Sequence, residues 1–263
     1  LELVTTFSME DFGTAEWEGR TIERLKRDFD RGAIGVKVWK DIGMTFKDST
    51  GAFIFIDDPR FDPILDFIEQ QNKTLVAHIG EPKNCWMPLE DMTVNNDRSY
   101  FEDHPEYHMY LHPEFPSYED QIDARDRMLA KHSKLRVVGA HLCSLEWSVD
   151  ELAKRLDRFP NLYADMAARI CHFQVQDRAK VKAFFEKYQD RLVYATDLGI
   201  KPDADPTASA KYFKETWEED WAYFTTDKML NSDAIPDSYQ GLDLPKGVIE
   251  KIYYQNAMKA FEY

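Results

Sequence analysis

Three residues combine reactive side chains with an unusual setting: His78, His141 and Asp197. Each closes a hydrophobic run, namely Thr74-Leu75-Val76-Ala77-His78-Ile79-Gly80, Leu135-Arg136-Val137-Val138-Gly139-Ala140-His141-Leu142 and Arg191-Leu192-Val193-Tyr194-Ala195-Thr196-Asp197. Neutral imidazole and carboxylate are donors that suit Zn²⁺ and related divalent ions. A metal held by them would lower the pKa of a bound water to roughly 7 and polarise a carbonyl, while a neighbouring imidazole or carboxylate could shuttle the proton. Taken alone, His78 reads more simply as a core histidine bonded to a backbone carbonyl. A second histidine at a run's end, and an aspartate whose buried setting demands a partner, argue instead for a shared site.

Positioning these side chains falls to the surrounding elements. Leu1–Phe7 alternates apolar and polar residues and predicts a strand, and Glu16 to Gly32 has helical spacing with Ile22, Leu25 and Phe29 on one face. Ala33–Trp39 predicts a second strand, followed by a long loop from Lys40 to Asp58. Helices are predicted over Pro59–Asn72, Tyr118–His132, Ser148–Phe159 and Asp177–Asp190. They precede, in turn, the His78 strand, the His141 strand, a strand at Asn161–Met166 and the Asp197 strand. Lys201–Asp243 reads as loop-rich with a helical patch at Ala208–Phe224, and Pro245–Phe261 as a final helix. Strands that alternate with helices predict a parallel α/β fold. Roughly six strands are legible against the eight of a closed (β/α)8 TIM barrel, so the expected barrel lacks its first strands in this chain.

Glu81 to Ser117 breaks the rhythm, with four prolines between Pro82 and Pro113 and with His104, His108 and His112. Connections this long usually serve function, here as a lid or wall above the strand ends. The three histidines do not share a helix face and are expected to be solvent-exposed loop residues.

The 263 residues are 43% hydrophobic, enough for a substantial core. One barrel takes roughly 250 residues, so a single domain over 1–263, incomplete at its N-terminus, is expected. A net charge of −15 argues against nucleic acid as a partner. No run is long and apolar enough for a membrane helix, and no signal peptide is visible. A soluble protein is expected, with the cytoplasm favoured and export the alternative. Cys85, Cys143 and Cys171 form no C-x-x-C pair and read as reduced, packed thiols. Aromatics near Trp217 and Trp221 are compatible with a homo-oligomer or with packing on the barrel.

The ordered segments Gly35-Val36-Lys37, Val76-Ala77-His78-Ile79-Gly80, Gly139-Ala140-His141-Leu142, Leu162-Tyr163-Ala164-Asp165 and Tyr194-Ala195-Thr196-Asp197 resemble the amidohydrolase superfamily. The resemblance is closest to the amidohydrolase 2 branch, which also contains aromatic acid decarboxylases. The ending Leu244–Ala257 is similar to that branch's last helix. The resemblance implies that Ala33–Trp39 is the fourth barrel strand. It makes His78 a metal ligand ending the fifth, His141 a catalytic residue ending the sixth, and Asp197 both ligand and proton acceptor ending the eighth. The family's first strand carries a His-x-His pair, and this sequence contains none. Either that pair precedes Leu1, which is the expectation, or the chain is a metal-free relative.

Further candidates are Lys37, Trp86 and Arg169 for substrate binding. Lys37 would meet an anionic group or pair with an acid, Trp86 would wall the pocket or pack in its loop, and Arg169 would grip a carboxylate or form a structural ion pair. The function expected is a metal-dependent hydrolase, using zinc or manganese, that cleaves a C–N or C–O bond of a small anionic molecule. Non-oxidative decarboxylation of an aromatic or unsaturated acid is the first alternative. A catalytically inactive binding protein on the same fold is the second.

Overall fold

The computed structural model describes residues 2–262. Six parallel strands lie side by side in chain order: β1 (Leu3–Thr5), β2 (Ala33–Val38), β3 (Thr74–Ala77), β4 (Val137–Gly139), β5 (Leu162–Asp165) and β6 (Leu192–Val193). Parallel strands covered on both faces need near-continuous apolar runs. The register aligns them across the sheet, with Val36 beside Leu75, Leu75 beside Val137 and Val137 beside Leu162. Helices Ala15–Asp30, Asp62–Gln70, Tyr118–Lys131, Val149–Arg158 and Arg178–Tyr188 connect successive strands, as parallel pairing requires. This is the β/α-barrel arrangement with six strands. The arc is open, because β1 and β6 each pair on one side only among the described residues.

Several boundaries differ from the sequence expectation. Leu1 lies outside the described residues, and β1 shortens to Leu3–Thr5. The strand expected over Arg191–Asp197 is only two residues, so Asp197 stands four positions past its end. The predicted Pro59–Asn72 helix begins as a 3-10 turn over Pro59–Phe61. The final helix is interrupted by a π turn at Lys251–Gln255. There Asn256 Nδ2 donates to the carbonyls of Gln189 and Leu192 and ties the helix to β6.

The Glu81–Ser117 insert is better ordered than a loop. It holds a helix at Asn95–Asp103 and a small core of its own, where Cys85, Met92, Phe101 and Met109 pack with Met44. His108 corrects the expectation of three exposed histidines: it is buried, and its Nε2 lies 2.8 Å from the Met87 carbonyl. His104 and His112 are half-exposed: His104 lies 3.6 Å from Glu106, and His112 lies 3.5 Å from Glu114 with its Nε2 3.0 Å from the Pro105 carbonyl. Among the described residues, no helix is long and apolar enough to cross a membrane.

Candidate active site

His78 and His141 follow adjacent strands, β3 and β4, at their C-terminal ends. Their rings meet edge to face with centroids 4.3 Å apart. Both are buried. Neither ring nitrogen of His78 has a hydrogen-bond partner, so the bland reading of a histidine bonded to a carbonyl does not hold here. Burial, then the neighbouring His141 and the charges of Lys40, Lys37 and Arg169, pushes His78 well below the ordinary histidine pKa. It is a neutral imidazole with two unused nitrogens.

His141 is held differently. Its Nδ1 lies 2.8 Å from the Ala167 carbonyl, which can only accept, so Nδ1–H donates and Nε2 keeps its lone pair. Burial and the charge of Arg169 lower its pKa, against opposing effects of the Ala167 bond and Asp197. The backbone beneath it is strained. His141, Leu142, Cys143 and Ser144 have φ of 57°, 57°, 58° and 53°, a full left-handed turn without glycine. Each such residue costs roughly 1–2 kcal/mol. Surrounding bonds hold the turn in place: Arg125 Nη1 donates to the Cys143 carbonyl, Tyr118 Oη to the Ser144 carbonyl, and Ser144 Oγ to the Ile79 carbonyl at 2.9 Å. Gly139 is required because a Cβ there would collide with Cys143 folding back. This turn also ends β4 at Gly139, short of the strand expected to run to Leu142.

Asp165, at the end of β5, completes the clamp. Its Oδ1 accepts from the backbone N–H of His141 at 2.8 Å and of Ala167 at 3.1 Å. Burial raises its carboxyl pKa from 3.8 to about 6, despite those two bonds. The unfolded chain therefore loses this proton at lower pH than the native protein. Asp165's contribution to stability is greatest below about pH 4 and falls as the pH rises through about 6. Asp165→Asn keeps the acceptor and removes the titration. The stability gap between variant and wild type should move by about 2 kcal/mol in the variant's favour between pH 4 and pH 7.5. Urea unfolding at both values checks this, and a gap independent of pH would contradict it.

Asp197 lies within electrostatic reach of both His141 and Asp165. It is nevertheless exposed, with φ 61°, and among the described residues nothing hydrogen-bonds its carboxylate. The two imidazoles thus converge tightly, and the aspartate stands at the rim. Lys37 is half-buried with its Nζ 4.1 Å from the centre of the Trp39 ring. Arg169 bonds the Ala168 carbonyl through Nη1, and its Nε is buried and unpartnered. Neither cation forms an ion pair within 4 Å among the described residues. Burial opposes the charge of Arg169, but Asp97, Glu146 and Glu81 outweigh it and raise its pKa. Trp86 is half-buried, donates to the Pro116 carbonyl at 3.2 Å and packs on Tyr118.

Sequence reasoning gave no role to Asp165, although it ends a buried strand just as Asp197 was expected to do. It also missed the buried acids behind Arg169. His172 Nε2 lies 3.2 Å from Asp97 Oδ2, and Asn84 Nδ2 donates to the same oxygen at 2.9 Å. Burial works against the Asp97 carboxylate, but His172, Arg169 and Asn84 together outweigh it and lower its pKa. Glu146 is raised by burial. No periodic pattern connects these residues, since Asp97 sits in the insert and Glu146 after the left-handed turn. The cysteines are free, and burial pushes Cys143 and Cys171 up to about 12, so they are poor nucleophiles at neutral pH.

The orphaned nitrogens of His78 fit a metal ion, since a buried imidazole without a hydrogen-bond partner still has a lone pair to give. The set as a whole is incomplete: among the described residues, no three His, Cys, Asp or Glu side chains converge to hold an ion.

The profile of the amidohydrolase family matches residues 12–262. Solved structures similar to the chain include an uncharacterised TIM-barrel protein from Bordetella bronchiseptica, at 18% identity and TM-score 0.47, covering 93% of this chain and 63% of that one. A 2,6-dihydroxybenzoate decarboxylase from Rhizobium is similar at 14% identity and TM-score 0.54, covering 99% and 71%. A dihydroxybenzoic acid decarboxylase from Polaromonas sp. JS666, with bound manganese and the inhibitor 2-nitroresorcinol, is similar at 14% identity and TM-score 0.50, covering 92% and 64%. The chain therefore spans roughly two thirds of the length of these structures. No curated protein matches it significantly. At these identities the likeness to the two decarboxylases speaks for the fold, and the profile speaks for descent: the chain belongs to the amidohydrolase family.

Proposed function

We propose that this chain carries the acid–base and substrate-binding part of a metal-dependent hydrolase acting on a C–N or C–O bond of a small anionic molecule. The observation that carries the reading is the imidazole pair: His78 with both nitrogens unused, against His141 with its tautomer fixed. His78 and Asp197 would hold a divalent ion, zinc or manganese, which would supply an activated water. His141 accepts a proton at Nε2, and Ala167 and Asp165 keep that atom aimed. Arg169 and Lys37, neither of which forms an ion pair within 4 Å among the described residues, bind the anionic group of the substrate. Asp197, open to solvent, passes the proton on. Trp86 shapes the insert side of the site through its packing on Tyr118.

A second reading keeps the same residues and replaces hydrolysis by loss of CO₂ from an aromatic acid. The two unpaired cations suit a carboxylate, and the Rhizobium and Polaromonas proteins are named as decarboxylases. Assays with small anionic amides, esters and lactones, run beside aromatic acids with CO₂ detection, separate the two. In whichever assay responds, His141→Gln should lower kcat by about 10²–10⁴-fold with KM little changed. A variant that keeps wild-type kcat would remove His141 from the reaction.

A further inference from the structure

A cavity of about 430 Å³ lies between the segment after β2 and the insert. Lys40 lines it, and the preceding residue, Trp39, has its ring centroid 6.4 Å from that of His78. Lys40 is close enough to depress the His78 pKa. Most charged groups of the wall have a neighbour or face solvent. Lys40 is paired with Glu81, Lys47 Nζ sits 4.3 Å from the centre of the Phe53 ring, and Glu106 lies 3.6 Å from His104. Asp41 is exposed to solvent. The apolar lining is Met44, Met109 and Phe115, together with the exposed Tyr107 ring. Methionine side chains adapt to irregular apolar guests. The size falls in the usual range for small-ligand pockets, about 300–1,000 Å³.

We propose that this cavity is a specificity subsite for an uncharged apolar tail, aryl or alkyl, carried by the anionic substrate. The inference rests on the reading of the imidazole pair as the reacting centre. The head of such a substrate meets Arg169 and Lys37 beside His141, and its tail passes Trp39 and Lys40 to lie between Met44 and Met109. A compact anion without a tail would leave the subsite to water.

A series of acids and one neutral analogue separate the tail from the head: benzoate, 3-phenylpropionate and 5-phenylpentanoate, and the neutral 5-phenylpentan-1-ol. Binding is read from ¹³C-methyl methionine resonances of the whole chain, with Met44 and Met109 assigned through Met44→Leu and Met109→Leu. We expect both methyl signals to shift with the longer acids and the alcohol, with affinity rising by up to roughly fourfold per methylene buried. Met109→Trp fills the cavity, and Thr45→Trp, at an exposed position on its rim, covers the case in which the core change unfolds the insert. Either variant should abolish the gain from tail length and leave benzoate unchanged. Equal affinity for all tail lengths, or methyl signals that ignore the alcohol, would overturn the subsite. If the alcohol binds as tightly as 5-phenylpentanoate, the subsite stands and the anionic-head reading fails.

Discussion

Arg125→Met is expected to destabilise the protein by about 3–5 kcal/mol, the usual cost of removing one partner from a buried ion pair. Arg125 is 1% exposed. Its guanidinium grips Asp126 Oδ1 at 2.7 Å and donates to the Cys143 carbonyl at the heart of the left-handed turn. The methionine fills similar volume, so the loss reports charge and hydrogen bonding rather than an empty space. Asp126 retains Arg155 at 3.1 Å, which sets a limit on the damage, but the carbonyl of Cys143 has no substitute donor. Release of that carbonyl lets the four positive-φ residues relax, and His141 moves with them. Urea denaturation measures the stability, and the ring resonances of His141 measure the movement. A loss below about 1 kcal/mol would mean that the turn is held by other contacts.

His78→Leu should do the opposite in protein free of metal. Two buried ring nitrogens without partners each carry a desolvation penalty of about 1–3 kcal/mol. Leucine removes both, and the neighbouring side chains Ala77 and Ile79 are apolar and buried. We expect the variant to gain about 1–3 kcal/mol by urea denaturation. The same variant should lose any response to Zn²⁺ or Mn²⁺. Wild type at a metal concentration of 100 Kd gains about 2.7 kcal/mol, whereas the variant gains none through this residue. Stability given up at a residue retained for ligation is a common feature of functional sites. A destabilised His78→Leu would show that the imidazole serves packing.

The parallel sheet was legible because buried strands are continuous apolar runs and the helices between them carry 3.6-residue spacing. The positions of His78 and His141 followed from that, since each stands just past a strand. The left-handed turn was not legible. Ala140-His141-Leu142-Cys143-Ser144 contains no glycine or asparagine to mark positive φ, and the conformation is imposed by Arg125 and Tyr118 from the Tyr118–Lys131 helix and by Asp165 from β5. Asp165 looked like any strand residue for the same reason. Its role depends on the neighbouring strand's turn. Asp197 was read as the end of a buried strand, but β6 stops at Val193 and the chain beyond it makes no ladder, so the carboxylate meets solvent. The insert looked irregular because its core is small and its helix Asn95–Asp103 is mostly polar, with only Asp97 and Phe101 buried.

The central claim is that the His78 imidazole is kept bare to receive a metal while His141 is kept neutral with its proton on Nδ1. Ring ¹⁵N spectra of the seven histidines during Zn²⁺ titration test both halves at once. A metal-bound nitrogen shift at His78, with His141 retaining Nδ1–H, is the predicted outcome. Ring nitrogens of His78 that stay unchanged at saturating Zn²⁺, while His104 and His112 respond, would contradict it.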